Sequence, residues 1–81
     1  MSNQTILQLI LKLKIQITSL FPNTKIKICT KFTNYHICYY NNKEQLKNIY
    51  VDRKTGDMYQ YKNKKNYLGN IYNESSFINN L

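Results

Sequence analysis

The sequence predicts an α+β fold, in which one N-terminal amphipathic helix packs on a meander of four or five antiparallel strands. Helical spacing of apolar residues over 5–20 predicts the helix, and two alternating segments at 25–41 and 48–61 predict hairpins. An all-β fold is the alternative. The 81 residues are expected to form a single small domain, 1–81, with one modest core. Within it, we expect 73–81 to form a frayed tail or a short helical turn.

The first element fits a helix and, less completely, a strand. Thr5 and Gln8 have the spacing of a capping box, and Pro22 ends the segment. Its second half also alternates apolar and polar residues, which is a strand pattern. We favour the helix because the cap, the length and the leucine content agree. The expected buried face consists of Ile6, Leu9, Ile10, Leu13, Ile17 and Leu20.

The first predicted hairpin, residues 25–41, has a two-residue turn at Thr33 and Asn34. In that register Ile28 pairs with Tyr39 on an apolar face. A slip of one residue would mix apolar and polar side chains on both faces, so the face assignment is strongly specified.

The same register sets the two cysteines of the chain, Cys29 and Cys38, directly opposite each other. An opposed pair of this kind permits a disulfide, and two reduced thiols are the favoured alternative. A metal site is the third reading, and it lacks ligands because His36 is the only histidine. No metal or other cofactor is therefore expected.

The second predicted hairpin, residues 48–61, turns through a three-residue loop closed by a bulge at Gly56, which would adopt a positive φ. Asp52 and Asp57 would brace this turn. The side chains expected to face the core are Ile49, Val51, Tyr59 and Tyr61. A basic loop at 62–66 and a short last strand would follow.

The net charge of +8, from twelve basic and four acidic residues, favours a polyanionic partner: nucleic acid, an anionic membrane surface or an acidic protein. The alternative is that the charge only keeps the protein in solution. Abundant Asn, Lys, Ile and Tyr indicate an A/T-rich genome, such as that of a phage or mobile element. No apolar run approaches about 18 residues, and no targeting segment is expected, so we predict an intracellular protein without a membrane span.

A Lys/Tyr surface is the best candidate site. Cations would contact phosphates, and Tyr40 and Tyr50 would stack on bases. The predicted nucleic-acid or partner-binding residues are Lys27, Lys31, Tyr40, Tyr50, Arg53, Lys54, Lys62, Lys64 and Lys65. His36 is expected to be a solvent-facing strand residue. The sequence has no arrangement typical of a catalytic site, so we do not expect an enzyme.

Residues 51–59, Val-Asp-Arg-Lys-Thr-Gly-Asp-Met-Tyr, resemble a hairpin of PepSY-like domains, which are small helix-plus-sheet modules. Together with Gly69-Asn70-Ile71-Tyr72, this segment is similar to the end of small uncharacterised phage and mobile-element proteins. The resemblance implies a viral or mobile-element origin and supplies no activity.

Three functional hypotheses follow. The first is a small basic accessory protein that contacts nucleic acid or a nucleoprotein. The second is a protein-binding inhibitor of a host factor, for instance an anti-defence protein such as an anti-CRISPR. The third is a structural subunit of a virion or ribonucleoprotein. Each places the protein in the host cytoplasm or the virion, and each is compatible with several oligomeric states.

Overall fold

The computed structural model describes residues 4–81, apart from the side chain of Lys62. All neighbouring strands are antiparallel and follow one another in chain order, so they form a five-stranded meander. The predicted α+β fold is confirmed. The elements are α1 (Ile6–Leu20), β1 (Lys27–Thr30), β2 (Asn34–Tyr40), β3 (Leu46–Asp52), β4 (Asp57–Lys62), β5 (Lys64–Asn70) and two 3-10 helices (Glu74–Ser76 and Ile78–Asn80).

The capping box predicted for α1 is present. Thr5 Oγ1 accepts a hydrogen bond from the backbone N–H of Gln8 at 3.2 Å, and Gln8 Oε1 accepts one from the N–H of Thr5 at 2.8 Å. Leu20, which was expected on the apolar face, is instead half exposed at the end of the helix. The buried residues recur with helical spacing and are Ile6, Ile10, Leu13 and Ile17.

One face of the sheet packs on α1 and forms the core. We call it the covered face. Burial of one such side chain stabilises the fold by roughly 1.5–3 kcal/mol, so this face supplies much of the stability. The buried residues of the strands and tail are Ile37, Tyr39, Ile49, Val51, Met58, Ile71 and Phe77.

The C-terminal tail is docked rather than frayed. The two 3-10 helices present Phe77 to the core, where its ring is almost fully buried. Ser76 Oγ accepts a hydrogen bond from the Asn70 N–H at 3.0 Å, and Gln16 of α1 donates to the Glu74 carboxylate. Of the two alternatives expected for 73–81, the structure has the short helical turn, and one apolar ring within a polar segment packs it on the core.

In the first hairpin each residue lies on the predicted face of the sheet, but the strands pair in a different register. Ile28 pairs with Ile37, and four residues separate the last pair of the ladder, Thr30 and Tyr35. Within this loop Lys31 N donates a hydrogen bond of 2.8 Å to Asn34 O. The register is thus shifted by two residues from the predicted one. Because side chains alternate with a period of two, such a shift exchanges partners and leaves each residue on its expected face.

This shift separates the two cysteines in the ladder. Cys29 lies opposite His36, and Cys38 lies opposite Lys27. In the described part of the chain both cysteines are free thiols. The predicted opposed pair, on which the possible disulfide depended, is therefore wrong, and the wider loop is the reason.

The second hairpin differs from the prediction by one residue. Val51 pairs with Met58, and residues 53–56 form a four-residue loop between the ends of β3 and β4, in which Gly56 has φ +79°. Gly56 N donates to Asp52 O at 2.9 Å to close it. The positive φ at Gly56 is confirmed, but a shift of one residue reverses the faces. Met58 is therefore buried, and Tyr59 lies on the other face together with Tyr61.

The predicted basic loop at 62–66 is a tight turn instead. β4 reaches Lys62, β5 starts at Lys64, and Asn63 alone connects them with φ +64°. Asparagine tolerates this left-handed conformation better than most residues. Two basic residues are consequently placed in β5 and not in a loop.

Candidate functional site

The face of the sheet opposite α1, which we call the open face, carries a row of aromatic side chains. These rings come from four neighbouring strands, β2 to β5. We call them the aromatic array, and its members are His36, Tyr50, Tyr59, Tyr61 and Tyr67. The array arises because Tyr59 and Tyr61 occupy alternate positions of β4 and the antiparallel register sets Tyr50 of β3 opposite Tyr59.

Tyr50 is the centre of the array. Its ring stacks on that of His36 with centroids 4.5 Å apart and planes within 1° of parallel. On its other side it meets Tyr61 edge to face, at 5.2 Å and 83°. Such pairs contribute about 0.5–1.5 kcal/mol beyond simple burial, so they hold the rings in fixed orientations.

The second part of the array joins β4 to β5. Tyr59 and Tyr67 meet at 5.6 Å with planes inclined by 67°. The ammonium group of Lys65 lies 4.0 Å from the centroid of the Tyr59 ring, a cation–π contact. This arrangement brings one positive charge directly onto the aromatic surface.

The array is accessible to a ligand. Tyr61 is 55% exposed and Tyr67 is 60% exposed, while the remaining three rings are partly buried. A shallow depression of about 210 Å³ lies among these side chains. Its lining residues are Thr33, Asn34, Tyr50, Asp52, Tyr59, Tyr61 and Lys65.

A polar contact orients His36. Asn48 Oδ1 lies 2.8 Å from His36 Nε2 and accepts a second, longer hydrogen bond of 3.4 Å from Cys38 Sγ. A hydrogen bond to this amide oxygen requires the proton of the imidazole on Nε2. Asn48 thereby holds the imidazole parallel to Tyr50. Within residues 4–81, His, Cys, Asp and Glu form no group of three that could bind a metal ion.

The two carboxylates nearest the array are engaged in the turn. Asp52 Oδ1 accepts hydrogen bonds from the backbone N–H groups of Lys54 and Thr55, at 2.7 and 2.9 Å. These two bonds hold the pKa of Asp52 below its usual range, and the bond from Thr55 has the larger effect. Asp57 accepts hydrogen bonds from Asn70 Nδ2 at 3.0 Å and Thr55 Oγ1 at 3.1 Å. Both carboxylates therefore have a structural role.

Four of the predicted site residues belong to the open face. Tyr50 belongs to the array, and Lys65 lies over the Tyr59 ring, as described above. Lys27 is exposed on the edge strand β1, opposite Cys38 in the ladder. Tyr40 is exposed at the far end of β2, opposite Leu46, and outside the array.

The remaining predicted residues lie in turns or at the ends of strands. Lys31 and Lys54 are exposed at the tips of the first two hairpins, and Lys64 is exposed at the start of β5. Arg53 is partly structural, since its guanidinium lies 5.4 Å from the centroid of the Tyr35 ring and hydrogen-bonds two backbone carbonyls. The side chain of Lys62 lies outside the described residues.

Three tyrosines of the array were missed from the sequence. Tyr59 and Tyr61 were assigned to the core by the one-residue error in register, and Tyr67 was left in a short last strand. The signal that could have identified them is the pair Asp52 and Asp57, which flank a loop of four residues. That loop length sets Tyr59 opposite Tyr50 and on the same face.

No helix among the described residues is long and apolar enough to cross a bilayer. No model of a protein family matches the chain, and comparisons with curated proteins and with solved structures likewise found no match. The geometry of the open face is therefore the basis for a functional proposal.

Proposed function

We propose that this chain is a small non-enzymatic accessory protein that binds single-stranded nucleic acid, free or within a nucleoprotein, through the open face of its sheet. The observation that carries this proposal is the aromatic array, with Lys65 on its surface. Exposed rings on an antiparallel sheet provide surfaces on which unpaired bases stack, and each stacked base contributes about 1–3 kcal/mol to binding.

The charge of the chain supports the same ligand class. The net charge of +8 would attract a phosphate backbone, and Lys65 and Lys27 stand on the open face. The carboxylates of Asp52 and Asp57 are already hydrogen-bonded within the turn, which offsets part of their repulsion of phosphates. We therefore expect binding that weakens steeply as salt is added.

An origin in a virus or mobile element is part of this proposal. It is supported by the A/T-rich codon usage that the composition implies and by the resemblance of the second hairpin and of the Gly69–Tyr72 segment. Such a protein would act in the host cytoplasm or within the virion. Its ligand would be a viral or host single strand.

A second candidate function is a protein-binding inhibitor of a host factor, in the manner of an anti-defence protein. The observation that favours it is an apolar stripe on the solvent side of α1, formed by Leu7, Leu11 and Ile15. These residues recur every four positions, and contiguous exposed apolar residues of this kind are typical of contacts between proteins. The stripe lies in the layer opposite the open face.

Fluorescence anisotropy with labelled single-stranded DNA and RNA of about twenty nucleotides tests the first function. We expect Tyr61→Ala to weaken binding by about tenfold or more, as loss of one stacked base predicts. Lys65→Gln should weaken binding and reduce the slope of log K against log salt by about one phosphate contact. Lys14→Gln makes the same charge change at an exposed position of α1 and is the matched control.

Absence of binding at low salt would contradict the nucleic-acid function. So would equal losses for Lys65→Gln and Lys14→Gln, because net charge alone would then explain the affinity. Stoichiometric capture of a host protein that is abolished by Leu11→Gln and unaffected by Tyr61→Ala would favour the inhibitor instead.

A further inference from the structure

One aromatic side chain outside the array is almost completely exposed. Phe32, at the tip of the loop between β1 and β2, has 95% of its surface accessible. Burying such a ring in a complex would remove a large apolar surface from water, which favours binding. Single exposed apolar residues are common on protein surfaces, so the exposure alone assigns nothing.

The backbone that presents Phe32 is held by the neighbouring hairpin. Arg53 Nη1 donates to the carbonyl oxygens of Lys31 at 3.0 Å and of Phe32 itself at 3.3 Å. Arg53 N donates to Thr33 O at 3.1 Å, so three consecutive carbonyls of the loop bind one residue. Arg53 is in turn held against the ring of Tyr35. A ligand that contacts Phe32 therefore meets an ordered backbone, and little conformational entropy is lost there on binding.

The surroundings of Phe32 are basic. Lys31 precedes it in the chain, and Arg53 and Lys54 line the same groove of about 600 Å³. Thr33 and Asp52 complete that lining. A flat aromatic or apolar group with an attached anion is the chemistry that fits an exposed ring among cations.

The groove at Phe32 adjoins the depression in the aromatic array. Thr33 and Asp52 line both this groove and the depression that contains Tyr50, Tyr59 and Tyr61. A strand that lies on the open face could therefore reach the groove directly. This shared lining favours a nucleobase over a lipid surface as the partner of Phe32.

We propose that Phe32 is an aromatic wedge that stacks on a base of the same single strand that the array binds. In this arrangement Lys31 and Lys54 contact the flanking phosphates, and Arg53 positions the loop. The inference rests on the proposed function, and it extends the binding site from the open face to the hairpin tips. Apolar wedges of this type separate neighbouring bases in other nucleic-acid complexes.

The absence of tryptophan from the chain allows a direct test. Phe32→Trp introduces a single fluorophore at the tip, and Ile15→Trp introduces one at a 70% exposed position of α1 as the matched control. Titration with unlabelled (dT)20 and (rU)20 should quench the indole emission of Phe32→Trp by stacking and leave that of the control unchanged. Phe32→Ala should weaken binding about fivefold or more without changing the salt slope, because no charge is removed.

Each result supports the wedge or overturns it. Unquenched emission from Phe32→Trp, together with wild-type affinity for Phe32→Ala, would overturn the wedge, and the proposed function would stand if Tyr61→Ala still weakened binding. If the wild type bound neither oligonucleotide, both proposals would fail together. A blue shift of the Phe32→Trp emission on anionic phosphatidylserine vesicles, with no quenching by oligonucleotides, would assign Phe32 to a lipid surface instead.

Discussion

The covered and open faces of the sheet are built from the same strands but from different kinds of side chain. On β3, Ile49 and Val51 point into the core, and Tyr50 between them stacks with other rings on the open face. On β4, Met58 is buried while Tyr61 is largely exposed. Because side chains alternate along a strand, one short segment supplies both the stability of the fold and the binding surface. Mutations at adjacent positions should therefore separate the two roles.

The largest difference is expected between a buried and an exposed substitution on these strands. Ile49→Ala removes methyl and methylene groups from a closed core and should lower the free energy of unfolding by about 2–5 kcal/mol. Tyr61→Ala breaks one edge-to-face contact and should cost about 0.5–1.5 kcal/mol. Urea denaturation followed by circular dichroism measures both values.

A graded control keeps this comparison interpretable. Ile49→Val leaves most of the side chain in place and should cost about 0.5–1.5 kcal/mol. If Tyr61→Ala destabilised the protein as much as Ile49→Ala, the open face would be part of the core. The separation of stability from binding would then be lost.

The next largest effect is expected at Gly56, whose turn decides which residues of β4 occupy each face. Its φ is +79°, and an added Cβ would lie 2.7 Å from Ile71 Cγ2. Gly56→Ala should therefore lower the free energy of unfolding by about 2–4 kcal/mol, from a left-handed backbone and a steric clash together. Urea denaturation checks the value.

Gly56→Asn separates the two causes. Asparagine tolerates a positive φ better than alanine, but its Cβ meets the same Ile71 methyl group. A smaller loss for Asn than for Ala would identify backbone strain as the main term, and equal losses would identify the clash. Wild-type stability for Gly56→Ala would contradict the described turn.

The same turn explains how far the sequence could predict this structure. In the first hairpin the loop was mispredicted by two residues, and the residues of β1 and β2 still occupied their expected faces. In the second hairpin the error was one residue, which moved Tyr59 and Tyr61 from the predicted core to the open face. Loops of three and of four residues both use an aspartate and a glycine. In the folded turn Asp52 accepts hydrogen bonds from the amides of Lys54 and Thr55, but the sequence alone does not distinguish the two loop lengths.

Local signals predicted other parts well. Helix α1 begins with a capping box and buries residues at helical spacing, and both features are visible in neighbouring residues. The docking of Phe77 was not predictable in this way because its partners come from distant segments of the chain. The candidate site depends on both neighbouring residues and distant segments. Tyr50 was identified locally, while its stacking with His36 depends on the register between β2 and β3.

The smallest effect concerns the one tyrosine that lies on the covered face and is almost fully buried. The ring of Tyr39 stacks on Phe21 at 5.8 Å, and its hydroxyl finds no hydrogen-bond partner among the described residues. Tyr39→Phe removes this unpaired polar group and keeps the ring, so we expect the free energy of unfolding to rise by about 1 kcal/mol. Urea denaturation at pH 7 gives the value. A loss of stability would show that the hydroxyl is hydrogen-bonded to water.

Measurements at high pH sharpen this prediction, because burial raises the pKa of Tyr39 to about 12. In the unfolded chain the hydroxyl ionises near pH 10, so between about pH 10 and 12 the unfolded state releases a proton that the folded state retains. Below pH 10 the ionisation of Tyr39 does not affect the free energy of unfolding. As the pH rises through this range, ionisation in the unfolded chain lowers that free energy. Tyr39→Phe lacks this loss, and the groups that the two proteins share cancel in the difference between them. The advantage of the variant should therefore grow between pH 9 and pH 11, and a constant difference would place the hydroxyl of Tyr39 in contact with solvent, as on the open face.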